Sequence, residues 1–175
     1  MPAHEPIEIE RLTAIDETEV DALASVLVDC VEGGASVRYL APFTHEQARA
    51  AFDAVARDVE GGRRVLLAAF LEGELVGTVQ VALAQQPNSP HRAEIAQLLV
   101  RRSARRRGIA ERLMAAAEQE ALAEGKTLLV LDTVTGDAAD RLYVRLGWTR
   151  VGEIPDYALY PDGRPCATTI FWKKL

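Results

Sequence analysis

Apolar residues in the first third of the chain follow two different spacings. Residues 7–12 alternate apolar and acidic side chains, which is typical of a half-exposed strand. Residues 16–31 carry apolar side chains three or four positions apart, which predicts a helix. A second helix is predicted over residues 44–60, because Thr44 is a good N-cap and Gln47 is its capping-box partner. This part of the chain is therefore predicted to form one strand and two helices.

Strands and helices alternate in the remainder of the chain. A nearly continuous apolar run at residues 127–133 predicts a central strand that is covered on both faces. The other predicted elements are a hairpin of strands at 63–71 and 75–84, further strands at 93–100, 148–153 and 167–172, helices at 106–124 and 136–146, and a loop at 155–165. This order indicates a mixed α/β sheet of about seven strands with four helices, in a single domain that spans residues 1–175.

The charge and composition of the chain argue against several classes of partner. The formal net charge is −6, and a phosphate backbone repels an acidic protein, so no nucleic-acid partner is expected. No apolar run approaches the roughly 20 residues that span a bilayer. Cys30 and Cys166 predict two buried thiols in a reducing cytoplasm, with a disulfide as the alternative. The histidines His4, His45 and His91 show no partner pattern, so no metal site is expected.

Arginines crowd the turn between the strand at 93–100 and the helix that follows it. The first amides of a helix lack internal partners and carry partial positive charge, so arginines there are unfavourable unless an anion binds. Small residues at Gly108 and Ala110 allow a bulky anion to approach the backbone. The pattern therefore predicts a pyrophosphate cradle, with a solvated basic turn or a nucleic-acid patch as alternatives. The arginines are Arg101, Arg102, Arg105, Arg106 and Arg107.

Two motifs resemble the GCN5-related N-acetyltransferase superfamily. Residues 105–110 (Arg-Arg-Arg-Gly-Ile-Ala) are similar to its acetyl-CoA signature, and residues 139–148 resemble a second signature, Ala-x-x-x-Tyr-x-x-x-Gly-aromatic. The resemblance implies an acetyl-CoA-binding core at about residues 93–148. It also implies that the strands at 93–100 and 127–133 run parallel and splay apart, with the pantetheine arm in the gap.

By this resemblance, the coenzyme is expected to contact the end of one strand and the turn that follows. The strand would pair with the pantetheine amides, and an amide near Leu99 would polarise the thioester carbonyl. Many members carry Asn seven residues before the tyrosine, and this chain has Gly136 there, so one side-chain contact is lost. The predicted coenzyme contacts are Leu98, Leu99, Val100, Arg105, Arg106, Arg107, Gly108, Ile109 and Ala110.

Acetyl transfer to an amine requires a neutral amine and a proton for the departing thiolate. Glu94 and Asp132 are the candidate bases, because each lies on one of the two strands that are expected to splay. The alternatives are an exposed residue at the strand entrance for Glu94 and a structural acceptor of loop amides for Asp132. Tyr143 is the candidate acid, since the matching tyrosine of the superfamily points at the coenzyme sulfur; a core aromatic is its alternative.

A closer resemblance suggests what the acceptor is. Residues 34–40, 131–133 and 154–158 look like those of the tabtoxin-resistance acetyltransferases, which acetylate a β-lactam toxin or unassigned small substrates. This implies an amino-acid-like toxin, an antibiotic or a metabolite as the acceptor. The expected substrate-binding residues are Ser36, Arg38 for a carboxylate and Asp156 for an ammonium group.

The sequence therefore predicts a cytoplasmic, acetyl-CoA-dependent N-acetyltransferase that acts on a small-molecule amine. No Ser-His-Asp pattern is present, so direct transfer without an acyl-enzyme is expected. A protein or peptide N-acetyltransferase and a non-catalytic CoA-binding sensor are the alternatives. The oligomeric state is left open between a monomer and a homodimer.

Overall fold

The computed structural model describes residues 6–175. The first half of the chain forms β1 (Ile7–Leu12), α1 (Glu17–Glu32), α2 (His45–Glu60), β2 (Arg64–Leu71) and β3 (Glu74–Leu83). The second half forms β4 (Arg92–Val100), α3 (Ile109–Ala123), β5 (Leu128–Val134), α4 (Ala138–Arg145), β6 (Thr149–Leu159) and β7 (Pro165–Lys174). The predicted mixed α/β fold, with seven strands and four helices, is confirmed.

Side-chain caps fix the starts of the first two helices. Asp16 accepts a hydrogen bond from the Glu19 amide and Thr44 accepts one from the Gln47 amide, and both caps are complete capping boxes. Each cap satisfies backbone donors that the first turn of a helix leaves unpaired. The capping box predicted at Thr44 and Gln47 is therefore confirmed.

All seven strands belong to one sheet in the order β1-β2-β3-β4-β5-β7-β6. Only β4 and β5 are parallel neighbours; the other five pairs are antiparallel. The sheet separates two hydrophobic layers. On one face α3 packs with residues such as Leu113 and Met114, and on the other face α1 and α2 pack with Leu23, Leu27 and Phe52. Helices on both faces explain why the central strands are almost entirely apolar.

Two element boundaries differ from the prediction by three residues or more. The helix predicted from residue 106 begins at Ile109, because Arg106 (φ 62°) and Gly108 (φ 80°) adopt left-handed backbone conformations that end the preceding turn. The loop predicted at residues 155–165 is shorter, since β6 continues to Leu159. The pairing register with β7 shifts between Ile154 and Ala158, and this irregularity accommodates the turn-forming Pro155 that suggested a loop.

Both cysteines are free and buried, as expected for two thiols within the core. Across residues 6–175, no helix has both the length and the apolar composition needed to cross a membrane.

Candidate functional site

The parallel strands β4 and β5 separate after three paired positions. The last pair joins Glu94 to Val130, although both strands continue for several more residues. A register shift in the pairing of β4 with β3 lies just beyond this point, and Gln97 there has a φ of 46°. The extra residue in β4 is a β-bulge, which bends a strand away from its neighbour. The bulge therefore opens a gap between β4 and β5.

Backbone groups of β4 face this gap beyond the bulge. Leu99 lies opposite Thr78 of β3, and the amide of Arg101 donates to Val76 of β3 at 2.8 Å. Because backbone groups alternate direction along a strand, the amides of Leu98 and Val100 point toward the gap. Leu98 and Val100, together with Leu99, are the predicted strand contacts. Two N–H donors are thus available where β5 no longer pairs.

The turn after β4 leads to a helix start without a side-chain cap. Gly108 is the N-cap residue of α3, and an added Cβ would meet no atom within 4 Å. Ile109 is buried against the sheet and Ala110 is half-buried, so the first turn of α3 is held in place while its amides stay open. This arrangement leaves room and unpaired donors for an anion at the end of the gap.

The crowded arginines divide into two groups. Arg101 pairs with Glu74 at 3.1 Å and Arg102 pairs with Asp29 at 2.9 Å, so these two anchor the turn to β3 and α1. The other three are Arg105, Arg106 and Arg107.

Those three arginines lie nearest to the open helix start. The Nε of Arg105 donates to the Val100 carbonyl at 3.1 Å, which ties its side chain to the end of β4. Arg106 and Arg107 are exposed and make no side-chain hydrogen bond or ion pair with any residue in the range 6–175. Two guanidinium groups beside free helix amides fit a diphosphate in both charge and geometry.

The two candidate bases lie on the same face of the sheet. Glu94 and Asp132 are both exposed, on the face opposite to α3. Glu94 pairs with Val130, two residues before Asp132, so their Cα atoms are separated by at least about 8 Å. The hydroxyl of Thr168 lies 3.1 Å from Asp132 Oδ2. The same hydroxyl lies 2.9 Å from the Thr133 carbonyl. The structure therefore brings the two carboxylates to the two sides of the splay.

Tyr143 has a buried ring and an accessible hydroxyl. The residue is 5% exposed, and its ring lies 5.9 Å from that of Trp148 and 5.8 Å from that of Phe171. Its hydroxyl forms no hydrogen bond within residues 6–175, and the oxygen is not fully buried, so it keeps contact with solvent. Burial raises the pKa of the Tyr143 phenol, and the charges of Asp137 and Asp132 raise it further. The phenol therefore stays protonated at any working pH.

Both ends of α4, the helix that carries Tyr143, are anchored. Asp137 caps the first turn by accepting from the Asp140 amide at 2.9 Å. Lys173 donates to the Leu146 carbonyl at the other end, at 2.9 Å. The buried Asp140 side chain accepts from the amide of Gly136 at 2.7 Å. Gly136 thus contributes backbone geometry in place of a side-chain contact.

The loop between α1 and α2 is hydrogen-bonded to the β6–β7 hairpin. Ser36 Oγ donates to the Leu159 carbonyl at 2.7 Å, and the Ala41 amide donates to the Pro161 carbonyl at 2.9 Å. The hydroxyl of Ser36 therefore holds the loop in place, and its predicted substrate contact stays a prediction. Asp156 is exposed within the irregular part of β6, at a φ of 52°.

A pocket of about 210 Å³ lies beneath this loop. Arg38, one of the predicted substrate residues, lines it, whereas Glu94, Asp132 and Asp156 are not among its lining residues. Four polar residues of the lining were not predicted from the sequence: Asp58, Arg64, Gln80 and Gln97. A single glutamine between valines on an apolar strand, as at Gln80, was the signal that could have identified them.

Comparison with known proteins identifies a matching family. The model of the acetyltransferase (GNAT) family matches residues 32–148. This match covers the α1–α2 loop, the splayed strands, the arginine turn and the helix that carries Tyr143.

Solved structures share the fold over nearly their whole length. A ribosomal-protein-alanine N-acetyltransferase from Brucella melitensis has a TM-score of 0.81 at 22% identity, over 96% of this chain and 99% of the other. The yncA protein of Salmonella typhimurium, solved with acetyl-CoA, has a TM-score of 0.77 at 19% identity, over 97% and 94%. A protein provisionally named a phosphinothricin N-acetyltransferase has a TM-score of 0.80 at 17% identity, over 97% and 99%.

Proposed function

We propose, from the premise that this chain belongs to the acetyltransferase (GNAT) family, that it transfers an acetyl group to the amine of a small molecule. The chain is an N-acetyltransferase that takes its acetyl group from acetyl-CoA. The observation that carries the proposal is the gap between β4 and β5, which ends at a helix start without a side-chain cap and beside exposed arginines. The residues around this gap fit the coenzyme.

The coenzyme supplies an activated thioester, and the chain holds it for attack. In our proposal the open amides of α3 and the side chains of Arg105, Arg106 and Arg107 bind the diphosphate. The amides of Leu98 and Val100 bind the pantetheine arm and the thioester carbonyl, whose developing negative charge they stabilise. Holding thioester and amine together supplies much of the rate enhancement through proximity.

The acceptor amine must lose a proton before it can attack. An alkyl amine is only about 0.1% neutral at pH 7, a penalty of roughly 4 kcal/mol. Glu94 is the proposed base, with Asp132 as the second carboxylate on the opposite strand, and water carries the proton where the amine is out of direct reach. Tyr143 is the proposed acid, because its phenol keeps its proton at working pH and can give it to the leaving thiolate.

Direct transfer is favoured over an acyl-enzyme. Cys30 is 1% exposed and Cys166 is 6% exposed, and burial raises the pKa of the Cys30 thiol. A buried, protonated thiol is a poor nucleophile. In the proposed mechanism the amine itself attacks the thioester.

A small acceptor is favoured over a peptide because the α1–α2 loop is bonded to the β6–β7 hairpin. In our proposal this contact fixes the loop that carries Arg38 and restricts the width of the cleft. Arg38 is proposed to bind a substrate carboxylate and Asp156 a substrate ammonium, and the resemblance to the tabtoxin-resistance acetyltransferases suggests an amino-acid-like acceptor. We also propose that the chain acetylates a toxin or an antibiotic in a reducing cytoplasm and so contributes to resistance.

A peptide acceptor is the second candidate, because the Brucella melitensis relative is named for an alanine of a ribosomal protein. The test is a screen of small amines and of peptides with free N-termini, with thiol release from acetyl-CoA as the readout. Faster acetylation of one or more small amines than of every peptide is expected. A peptide with the highest kcat/KM would overturn the choice of acceptor, and thiol release from none would favour the CoA-binding sensor.

We also propose that two copies pair through β6. This edge strand has no buried residue in 11, and it exposes Val151 (65%) and Tyr157 (56%). Exposed apolar edges invite strand pairing, and two antiparallel copies of β6 satisfy a two-fold axis. Light scattering of the wild type should give twice the mass of the chain. Val151→Lys should give the monomer, whereas the control Val144→Lys on α4 should remain dimeric. A monomeric wild type would refute the pairing.

A further inference from the structure

The polar side chains of the pocket form a hydrogen-bonded series across three strands. Arg64 of β2 donates from Nη1 to Gln80 Oε1 at 2.8 Å. Gln80 of β3 then donates from Nε2 to Gln97 Oε1 at 2.9 Å. The series ends at the bulge of β4, where Gln97 lines the pocket.

The direction of this series is set by Arg64. A guanidinium only donates, so the oxygen of Gln80 must face Arg64 and its NH₂ group must face Gln97. Gln97 must then accept with its oxygen, since a flipped amide would bring two NH₂ groups together. Gln80 is 2% exposed, so no solvent is present to compensate for such a mismatch. The NH₂ group of Gln97 is thereby left to donate into the pocket.

The carboxylate and amide oxygens of the pocket already accept hydrogen bonds. Arg63 Nε donates to Asp58 Oδ1, and Arg64 lies against Asp58 Oδ2. The oxygens of both glutamines are engaged as well. The remaining free polar groups of the lining are the NH₂ of Gln97, the exposed guanidinium of Arg38 and the hydroxyl of Tyr39, none of which bonds to a side chain within residues 6–175. Two of these three can only donate, and one carries a positive charge.

We infer that Gln97 is a specificity-determining residue that binds a carboxylate of the acceptor, and that Arg64 positions it through Gln80. Arg38 supplies the opposite charge at the other side of the same pocket. Gln97 immediately precedes Leu98, whose amide faces the gap, so the bound carboxylate lies beside the transfer site. This inference rests on the proposed function and narrows the acceptor to amines that carry a carboxylate.

The test compares acceptors that differ only in the carboxylate. L-lysine with cadaverine and L-phenylalanine with phenethylamine are assayed by thiol release from acetyl-CoA. Wild type is expected to favour the carboxylated member by at least about tenfold in kcat/KM, because a site built to bind a group rejects the analogue without it. Gln97→Leu is expected to lower this ratio several-fold, to the part that Arg38 still contributes, and Gln97→Glu is expected to lower it further because a carboxylate replaces the donor.

Two further substitutions test the positioning by Arg64. Arg64→Met removes the donor that orients Gln80 and should lower the ratio, whereas Arg64→Lys retains a donor and should largely preserve it. Gln119→Leu, on the exposed side of α3, is the matched control and should leave the ratio unchanged. Thermal melting of each variant shows that the fold is retained, and Gln97→Glu serves where Gln97→Leu is unstable.

Each outcome decides one part of the inference. Acetylation of all four amines with a ratio near one would overturn carboxylate recognition while leaving acetyl transfer intact. A strong wild-type ratio that persists in both Gln97 variants would overturn the role of Gln97. The absence of thiol release with all four amines would overturn the inference. If the other amines of a wider screen were also inert, the proposed function would be overturned as well.

Discussion

Tyr143 combines a packed ring with a hydroxyl that no side chain within residues 6–175 engages. The ring contacts Trp148 and Phe171, and Arg150 lies over the Phe171 ring at 5.5 Å while pairing with Asp140 at 2.8 Å. These contacts fix the direction of the phenol without occupying its oxygen. A proton donor that is rigid and unpartnered is suited to a leaving group that arrives with the substrate.

Replacing Tyr143 by Phe should slow turnover by about 10²-fold, because the ring packing is kept while the proton donor is lost. The affinity for acetyl-CoA should change little. The raised pKa keeps the phenol protonated in wild type, so the loss should be the same from pH 6 to pH 9. Steady-state kinetics across this range measures it, and equal turnover of the two proteins would remove the acid role.

Unlike the replacement of Tyr143, the replacement of Glu94 should cause a loss of rate that changes with pH. Glu94→Gln removes the proposed base, whose help matters most when the amine is protonated. The rate loss should therefore be largest, about 10²-fold, near pH 6, and it should shrink as the pH rises toward the pKa of the free amine.

The control for this change is a second variant in which an exposed glutamate far from the site is replaced by glutamine, measured over the same pH range. Glu8→Gln on the exposed edge strand β1 also removes one charge from the chain, and it should leave the pH profile unaltered. A rate ratio between wild type and Glu94→Gln that stays flat with pH would exclude Glu94 as the base. Asp132→Asn would then be the variant expected to show the pH dependence.

The junction of β4 with α3 provides the diphosphate site, and glycine is required there for two reasons. Gly108 has a φ of 80°, where a side chain is strained, and its missing Cβ leaves open space in front of the helix amides. Gly125, at the other end of α3, has a φ of 75° and equally open surroundings. The two glycines therefore differ in their position relative to the proposed cradle and not in backbone strain.

Gly108→Glu should abolish the thermal stabilisation that acetyl-CoA gives, because a carboxylate would occupy and repel the diphosphate position. Gly125→Glu carries similar strain, so both variants should melt somewhat below wild type, and only Gly125→Glu should still respond to acetyl-CoA. A thermal-shift titration measures this difference. A normal response from Gly108→Glu would refute the cradle.

Over the whole molecule, patterns local in sequence were predictable and contacts between distant segments were not. The motif at residues 105–110 and its neighbours predicted the arginine turn and, through the family resemblance, the splay between residues 93–100 and 127–133. The series from Arg64 through Gln80 to Gln97 joins three strands, and it depends on a bulge that the apolar pattern of β4 does not reveal.

Contacts with distant segments also determine which arginines are paired and which are available to a ligand. Within one stretch of arginines, Arg101 and Arg102 pair with residues of β3 and α1, whereas Arg106 and Arg107 have no side-chain partner in the described part of the chain. The sequence presents all of them as equivalent. Only the packing of α1 and the β2–β3 hairpin against the turn distinguishes structural arginines from those available to an anion.

The gap between β4 and β5 is the proposed binding site of acetyl-CoA. Calorimetric titration of acetyl-CoA into the purified wild-type chain measures this directly. Saturable binding of one coenzyme per chain is expected, weakened by high salt because the arginines of the turn contribute charge. A titration without binding heat at several temperatures, from a chain that melts cooperatively, would show that the gap does not hold the coenzyme.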